Sequence, residues 1–308
     1  MAQVTPSAQE PTMTRRVITA LALSAAALVG SAGPAHAHVV ALRVGVAASL
    51  LTQPLPAPEE LFARHIREIG GADRLAQVKS RTVRGIVRNA ATGFVGRIVA
   101  QTAEPNLSHT FIEAPGIAGW ETVFNGRIGW TRTVAGDTTI QEGDELDDLR
   151  FNAYFHAELE ASKRFARLET VEQLTWNGAA SYRVRGTTAE GRIHDTIFDA
   201  RTGLINGLIS YRGQQPHVTL ILSDYREFHG LRSPGTITQR REGQEGEFVT
   251  TVTAVEFNTV DPEIFKPDSD VQRAIDNGGR WPPRRAGESK DPPLTGPAAN
   301  PQGPGQPK

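Results

Sequence analysis

The 308-residue chain has no cysteine. That excludes thiolate zinc sites, iron–sulfur clusters, covalent haem attachment, thiol nucleophiles, disulfides and a lipid-modified cysteine anchor. A surplus of one charge is missing too, because 33 basic residues stand against 34 acidic ones. Nucleic-acid binding needs an excess of Lys and Arg over Asp and Glu, so no nucleic-acid partner is expected. The chain also lacks the short motifs that carry chemistry: no G-x-S-x-G elbow, phosphate loop, H-E-x-x-H or dinucleotide fingerprint. No cofactor is expected and no catalytic residue is assigned.

The remaining polar candidates are weak. His156 and Glu160 have the spacing of two metal ligands on a helix but no third ligand nearby, so they read as surface or hydrogen-bonded groups and no metal is expected. Glu142, Asp144, Glu145, Asp147 and Asp148 lack calcium-loop spacing and read as a solvated acidic face that starts a helix. His194 and Asp195 adjoin on a strand, where neighbours point to opposite faces, so they form no dyad.

What is present begins with an export signal. Arg15 and Arg16 follow Met13, residues 17–29 are apolar and uncharged, and Ala35-His36-Ala37 is a small-x-small cleavage site. Residues 1–37 are therefore expected to be a signal peptide cleaved after Ala37, with an extension upstream of Met13. The run is shorter than the roughly 20 apolar residues that span a bilayer, so no transmembrane span is expected after processing. Thr14-Arg15-Arg16 faintly resembles a twin-arginine signal, but Sec export is preferred. Residues 38–56 hold a second apolar stretch and stay open between a leader, an extended signal and a strand. Residues 268–308, rich in Pro and Gly, bury too little apolar surface to offset their ordering entropy and are expected to be disordered.

Residues 57–267 are expected to fold as one domain. Pro58 opens a helix with an apolar stripe of Leu61, Phe62, His65, Ile66 and Ile69, and Gly70-Gly71 ends it. A short helical turn carries Leu75 and Val78. Twelve β-prone runs follow: residues 82–89, 96–102, 107–113, 120–125, 129–134, 167–176, 181–187, 192–199, 204–211, 217–225, 236–241 and 248–257. Turn pairs such as Asn125-Gly126, Asn177-Gly178 and Thr202-Gly203 separate them. The expected fold is mainly β, of the α+β type: a strongly curved antiparallel sheet with one apolar face and one wet face. Val218, Leu220 and Leu222 alternate with His217, Thr219, Ile221 and Ser223 in this sense. Arg84, Arg88 and Arg97 are read as discouraging edge pairing.

Between residues 143 and 165 the meander is interrupted. Leu146, Leu149, Phe151, Tyr154, Phe155 and Leu159 recur at roughly helical intervals, with Asp144 as N-cap. Aromatic residues are only 6% of the chain, yet Phe111, Trp120, Phe124, Trp130, Phe151, Tyr154 and Phe155 lie close together in sequence. Two readings stay open: ordinary core, or a gap between helix and curved sheet lined by these residues with Leu146 and Leu149, which would accept an apolar ligand.

Several segments resemble exported bacterial proteins of the LolA/LolB superfamily of lipoprotein carriers. They are Glu68-Ile69-Gly70-Gly71-Ala72-Asp73-Arg74-Leu75, Asn125-Gly126-Arg127-Ile128-Gly129-Trp130, Phe198-Asp199-Ala200-Arg201-Thr202-Gly203-Leu204 and Asp224-Tyr225-Arg226 with Gly230-Leu231, closing on Val255-Glu256-Phe257-Asn258 and Phe265-Lys266-Pro267. The resemblance implies an incomplete antiparallel barrel with helices covering its concave face. It also implies reversible, non-catalytic binding of a lipid or lipoprotein acyl chain in the periplasm. The alternative is an envelope sensor or interaction module on the same fold, with an envelope protein recruited through the C-terminal tail. An exported hydrolase is the weakest of the three.

Overall fold

A computed structural model describes residues 54–282 except 116 and 134. All of them fall in one of the chain's two units, Gln53–Lys308. The expected signal peptide (residues 1–37), residues 38–53 and residues 283–308 lie outside the described residues.

Helix α1 (Pro58–Glu68) and α2 (Ala72–Ala76) come first. The first meander is β1 (Ser80–Asn89), β2 (Phe94–Ala103), β3 (Leu107–Ala114), β4 (Ile117–Phe124), β5 (Gly129–Thr133) and β6 (Thr138–Gln141). Two short helices follow, α3 (Gly143–Asn152) and α4 (Ala161–Arg164). The second meander is β7 (Arg167–Trp176), β8 (Ala179–Thr187), β9 (Ile193–Asp199), β10 (Ile205–Arg212), β11 (Gln215–Phe228), β12 (Leu231–Arg241) and β13 (Phe248–Phe257). A 3₁₀ turn (Pro262–Phe265), α5 (Ser269–Asp276) and β14 (Arg280–Trp281) close the described chain.

These strands make one antiparallel sheet in the order β14-β6-β5-β4-β3-β2-β1-β13-β12-β11-β10-β9-β8-β7, with its two ends unjoined. Each meander pairs neighbour with neighbour, as tight turns dictate. The two meanders join where β1 pairs with β13, Val83 opposite Val255. All twelve expected runs are strands. The four-residue β6 and two-residue β14 are additions too short to show an alternation.

Directly paired residues share a face of the sheet. On the inner face, Val184, Phe198 and Ile205 pack against Leu61 and Phe62 of α1, and Leu204 and Leu231 against Ile69, Leu75 and Phe155. A third inner cluster, Val87, Phe94 and Ala114 with Ile98, Ile112, Trp120 and Phe248, holds no helical residue. On the outer face, Val123 and Trp130 pack against Phe265 and Val271, from the 3₁₀ turn and α5.

Four expectations are corrected. Residues 268–282 of the expected disordered tail are folded. Asp268 caps α5 by accepting from the backbone N–H groups of Asp270 and Val271 at 3.0 Å each, and Val271 and Ala274 are fully buried. Two apolar contacts and a good cap hold a helix that bulk composition hides. Second, the insert is not one helix: α3 stops at Asn152, and its N-cap is Glu142, not Asp144. The Phe155 N–H instead bonds Asn106 Oδ1 at 3.0 Å, turning its ring into the core. Third, Arg84, Arg88 and Arg97 lie on β1 and β2, in the middle of the sheet, and protect no edge. The long free edge is β7, which carries Arg167, Glu169 and Glu172. Fourth, the outer face is not uniformly wet, because His217, Ile221, Ile197 and Asp195 are all buried there.

Asp268 also pairs with Arg132 on β5 at 2.7 Å. Although partial burial opposes its ionisation, the Val271 N–H and Arg132 hold its carboxyl below 3.8. A depressed pKa gives stability that is full above the unfolded value and lost as pH falls through the folded one. Asp268→Ala is expected to lower unfolding stability by about 0.5–2 kcal/mol at pH 7, measured by urea denaturation. The gap between variant and parent should narrow as pH falls below 3.8.

Candidate functional site

The α3–α4 segment touches strands from opposite ends of the sheet. At one end, Leu146 and Leu149 of α3 lie over Gly129 of β5, where a Cβ would come within 2.5 Å of Leu149 Cδ1. Glycine is required there by the close approach of the helix. At the other end, Phe151 stacks on His194 of β9, ring centroids 3.6 Å apart and 9° from parallel. Phe165 covers Gly186 of β8 in the same way that Leu149 covers Gly129. One ten-residue helix can reach β5 and β9 together only because the sheet curls around it.

The attachment of α3 is polar. None of its residues is buried. Glu145 pairs with Arg212 at 2.9 Å, Asp148 with Arg192 and with Arg212 at 3.4 Å, and Asp147 with Arg192 at 3.5 Å. Of the five acids expected to form a solvated face, Glu145, Asp147 and Asp148 thus make a clasp onto β10 and the chain entering β9, while Glu142 and Asp144 are exposed. Arg192 and Arg212 went unassigned in the sequence because their partners lie more than forty residues away. The available signal was the run itself, five acids with only Arg150 close enough to neutralise them.

The nine residues expected to line an apolar gap do not share one place. Trp120 and Phe124 are on the inner face, Trp120 against Phe94 with centroids 6.0 Å apart and Phe124 paired with Gly129. Leu146, Leu149 and Phe151 are on α3 above that face. Phe155 is core beneath α1 and α2, and Tyr154 donates its hydroxyl to Glu160 at 2.7 Å. Phe111 and Trp130 belong to the outer face, since Phe111 pairs with Glu121 and Trp130 with Val123. The two-residue period separates Trp130 from Trp120, because the turn between β4 and β5 sets a register that pairs Val123 with Trp130. Trp120 packs in the Phe94 cluster and Phe155 in the cluster beneath α1 and α2, and cavities of about 470 Å³ beside α1 and about 190 Å³ at the start of α3 are lined by none of the nine.

His156 and Asp195 have local partners, and His194 does not share those of Asp195. His156 Nε2 is 2.6 Å from Glu104 Oε1. Asp195 points to the outer face, accepting from Arg185 at 2.8 and 2.9 Å and from the Tyr211 hydroxyl at 2.7 Å, while His194 faces inward. No group of three His, Asp or Glu among the described residues could hold a metal ion. No helix among them is long and apolar enough to cross a membrane.

No family model and no curated protein matches the sequence. Solved structures do. A LolA superfamily protein from Nitrosomonas europaea aligns over 70% of this chain and 99% of its own, with 12% identity and a TM-score of 0.50. The chain has the LolA superfamily fold. A DUF1329 family protein from Desulfovibrio piger aligns over 68% of this chain and 96% of its own, at 9% identity and TM-score 0.49. An outer membrane lipoprotein-sorting protein domain from Vibrio parahaemolyticus aligns over 70% and 96%, at 13% and 0.45.

Two histidines sit inside this LolA-type fold. Burial lowers His65 to about 4, against the opposing pull of Glu158 and of a Gly203 backbone contact; its Nδ1 accepts from the Ile205 N–H at 3.1 Å. Burial, then Arg164 and Arg192, lower His194 to about 3. Both ordinarily titrate near 6.5. Below that value the unfolded chain binds more protons, so stability falls as pH drops. Between about pH 6.5 and 5, unfolding free energy should decline by up to ~1.4 kcal/mol per pH unit for each histidine. His194→Phe should remove its share of the slope in urea titrations, and an unchanged slope would contradict its burial in the neutral form.

Proposed function

We propose that this chain is an exported, non-catalytic binding protein that holds a lipid, a lipoprotein acyl chain or another lipophilic ligand between the inner face and the α3–α4 segment. The observation that carries the reading is how α3 is attached. Half-exposed ion pairs contribute roughly 0–1 kcal/mol each, and α3 buries no side chain fully, so its displacement costs a few kcal/mol while the sheet stays intact. Beside Gly129, under the α3 leucines, is the buried Phe124, and Trp120, Ile112 and Ile98 continue the apolar inner face across β4, β3 and β2. A cover that is easily lifted suits a site that must be closed when empty and open when loaded. The LolA superfamily fold supports the reading through the resemblance described above, and export rests on residues 13–37 of the sequence.

Two measurements test this. Protein purified without detergent should carry a lipid mass in native mass spectrometry or bind a fluorescent fatty acid afterwards; failure of both removes the reading. Asp148→Asn with Arg212→Gln weakens the clasp by about 1–2 kcal/mol. Hydrogen exchange in residues 143–152 should then quicken roughly tenfold while β1 and β13 keep their protection.

A further inference from the structure

Within the α3–α4 segment a half-buried cation has no carboxylate at ion-pair distance. Arg164, the last residue of α4, donates from Nη2 to the Phe151 carbonyl at 3.1 Å, and its Nε is buried with no partner. Among the described residues it makes no ion pair, and Glu158 acts on it only from further off. Its surroundings are aromatic: the guanidinium carbon lies 4.0 Å from the ring centre of Phe151, 5.4 Å from Tyr154 and 5.5 Å from Phe165. Burial lowers its pKa to about 10. An isolated charge of this kind is unfavourable unless something pairs with it.

Across Phe151 lies His194, 3.6 Å from the ring centre. Two groups at 3.6 and 4.0 Å from one ring centre cannot occupy the same side of it. Phe151 is therefore sandwiched between Arg164 and His194. The Nε2 of His194 is also buried without a partner, in a residue only 7% exposed. Being neutral, this imidazole carries one ring N–H that it can donate. The Phe151 ring thus fills a flat slot walled on one side by a guanidinium without a carboxylate partner and on the other by the face of a neutral imidazole, whose N–H lies along the wall.

We propose that Phe151 is a plug, and that when α3 lifts, the slot between Arg164 and His194 receives the carboxylate of a long-chain anionic amphiphile, whose chain then lies along the inner face. This rests on the lipophilic-ligand reading above and narrows it to a chemical class. The slot holds a flat ring with its walls 3.6 and 4.0 Å from the ring centre, a space that suits a planar carboxylate better than a tetrahedral phosphate. One guanidinium matches one negative charge, with a bond to Nε that the empty protein leaves unmade. The clasp arginines 192 and 212 are already occupied by Asp147, Asp148 and Glu145.

The test compares cis-parinaric acid with its methyl ester, which share a fluorescent chain and differ in the headgroup charge. The full chain should bind the acid at least about tenfold more tightly than the ester, the scale of one charge-assisted hydrogen bond. Arg164→Met should bind acid and ester alike, at the ester's affinity. Phe151→Ala should bind the acid more tightly than the parent, with the preference kept; far-UV circular dichroism reports whether each variant folds. If the parent binds ester as tightly as acid, which needs no variant, or if folded Arg164→Met keeps the preference, the carboxylate slot is wrong and the lipophilic reading stands. If neither probe binds, the lipophilic reading falls and the slot with it.

Discussion

A sheet of fourteen antiparallel strands cannot remain flat. Each strand is rotated against its neighbour by some 20–25°, always in the same sense, so the ends of the sheet turn toward one another. Everything else here depends on that curl. It brings β5 and β9 within reach of a single short helix, α3, although eight strands lie between them in the sheet. It gives the sheet an inner face that α1, α2 and the α3–α4 segment fill, and an outer face whose helical cover, among the described residues, is α5 with its 3₁₀ turn.

The curl also explains why the two kinds of cover differ. Helix α1 presents a continuous apolar stripe, buries Leu61, Phe62 and His65, and is part of the core. Helix α3 spans from one flank of the sheet to the other and has no apolar groove to sit in along its length. Charge pairs hold it at one end, Leu146 and Leu149 over Gly129 near its middle, and the Phe151 plug at the other end. Apolar burial contributes about 25 cal/mol per Å², so a helix without buried side chains is the part of this molecule most readily moved.

The sequence displays much of this. Turn chemistry is local, so the hairpins are legible: Asn125 Oδ1 accepts from the backbone of Arg127 and Ile128, and Asp199 Oδ1 from Arg201 and Thr202, the side chains building the turns that their spelling announces. The stripe of α1 is equally plain. What is hidden is whatever depends on partners distant in sequence. Nothing near Trp130 says that it faces Phe265 and Val271 and not Trp120; register decides that. Nothing near Asp148 names Arg192 and Arg212. Nothing near Asp268 names Arg132, 136 residues away. The candidate site is accordingly half legible, its aromatic residues evident from clustering and its arginines invisible until the sheet is curled.

A movable α3 over an apolar inner face is the central claim, and the absence of native cysteine makes it directly measurable. Spin labels on single cysteines at Asp144 of α3 and Gln214 of the β10–β11 turn, both exposed, report the span of the clasp by pulsed electron resonance. Addition of fatty acid should lengthen the distance and populate a second, longer one at intermediate ligand. A distance that stays fixed while the ligand binds would contradict a lifting cover and place the ligand elsewhere on the molecule.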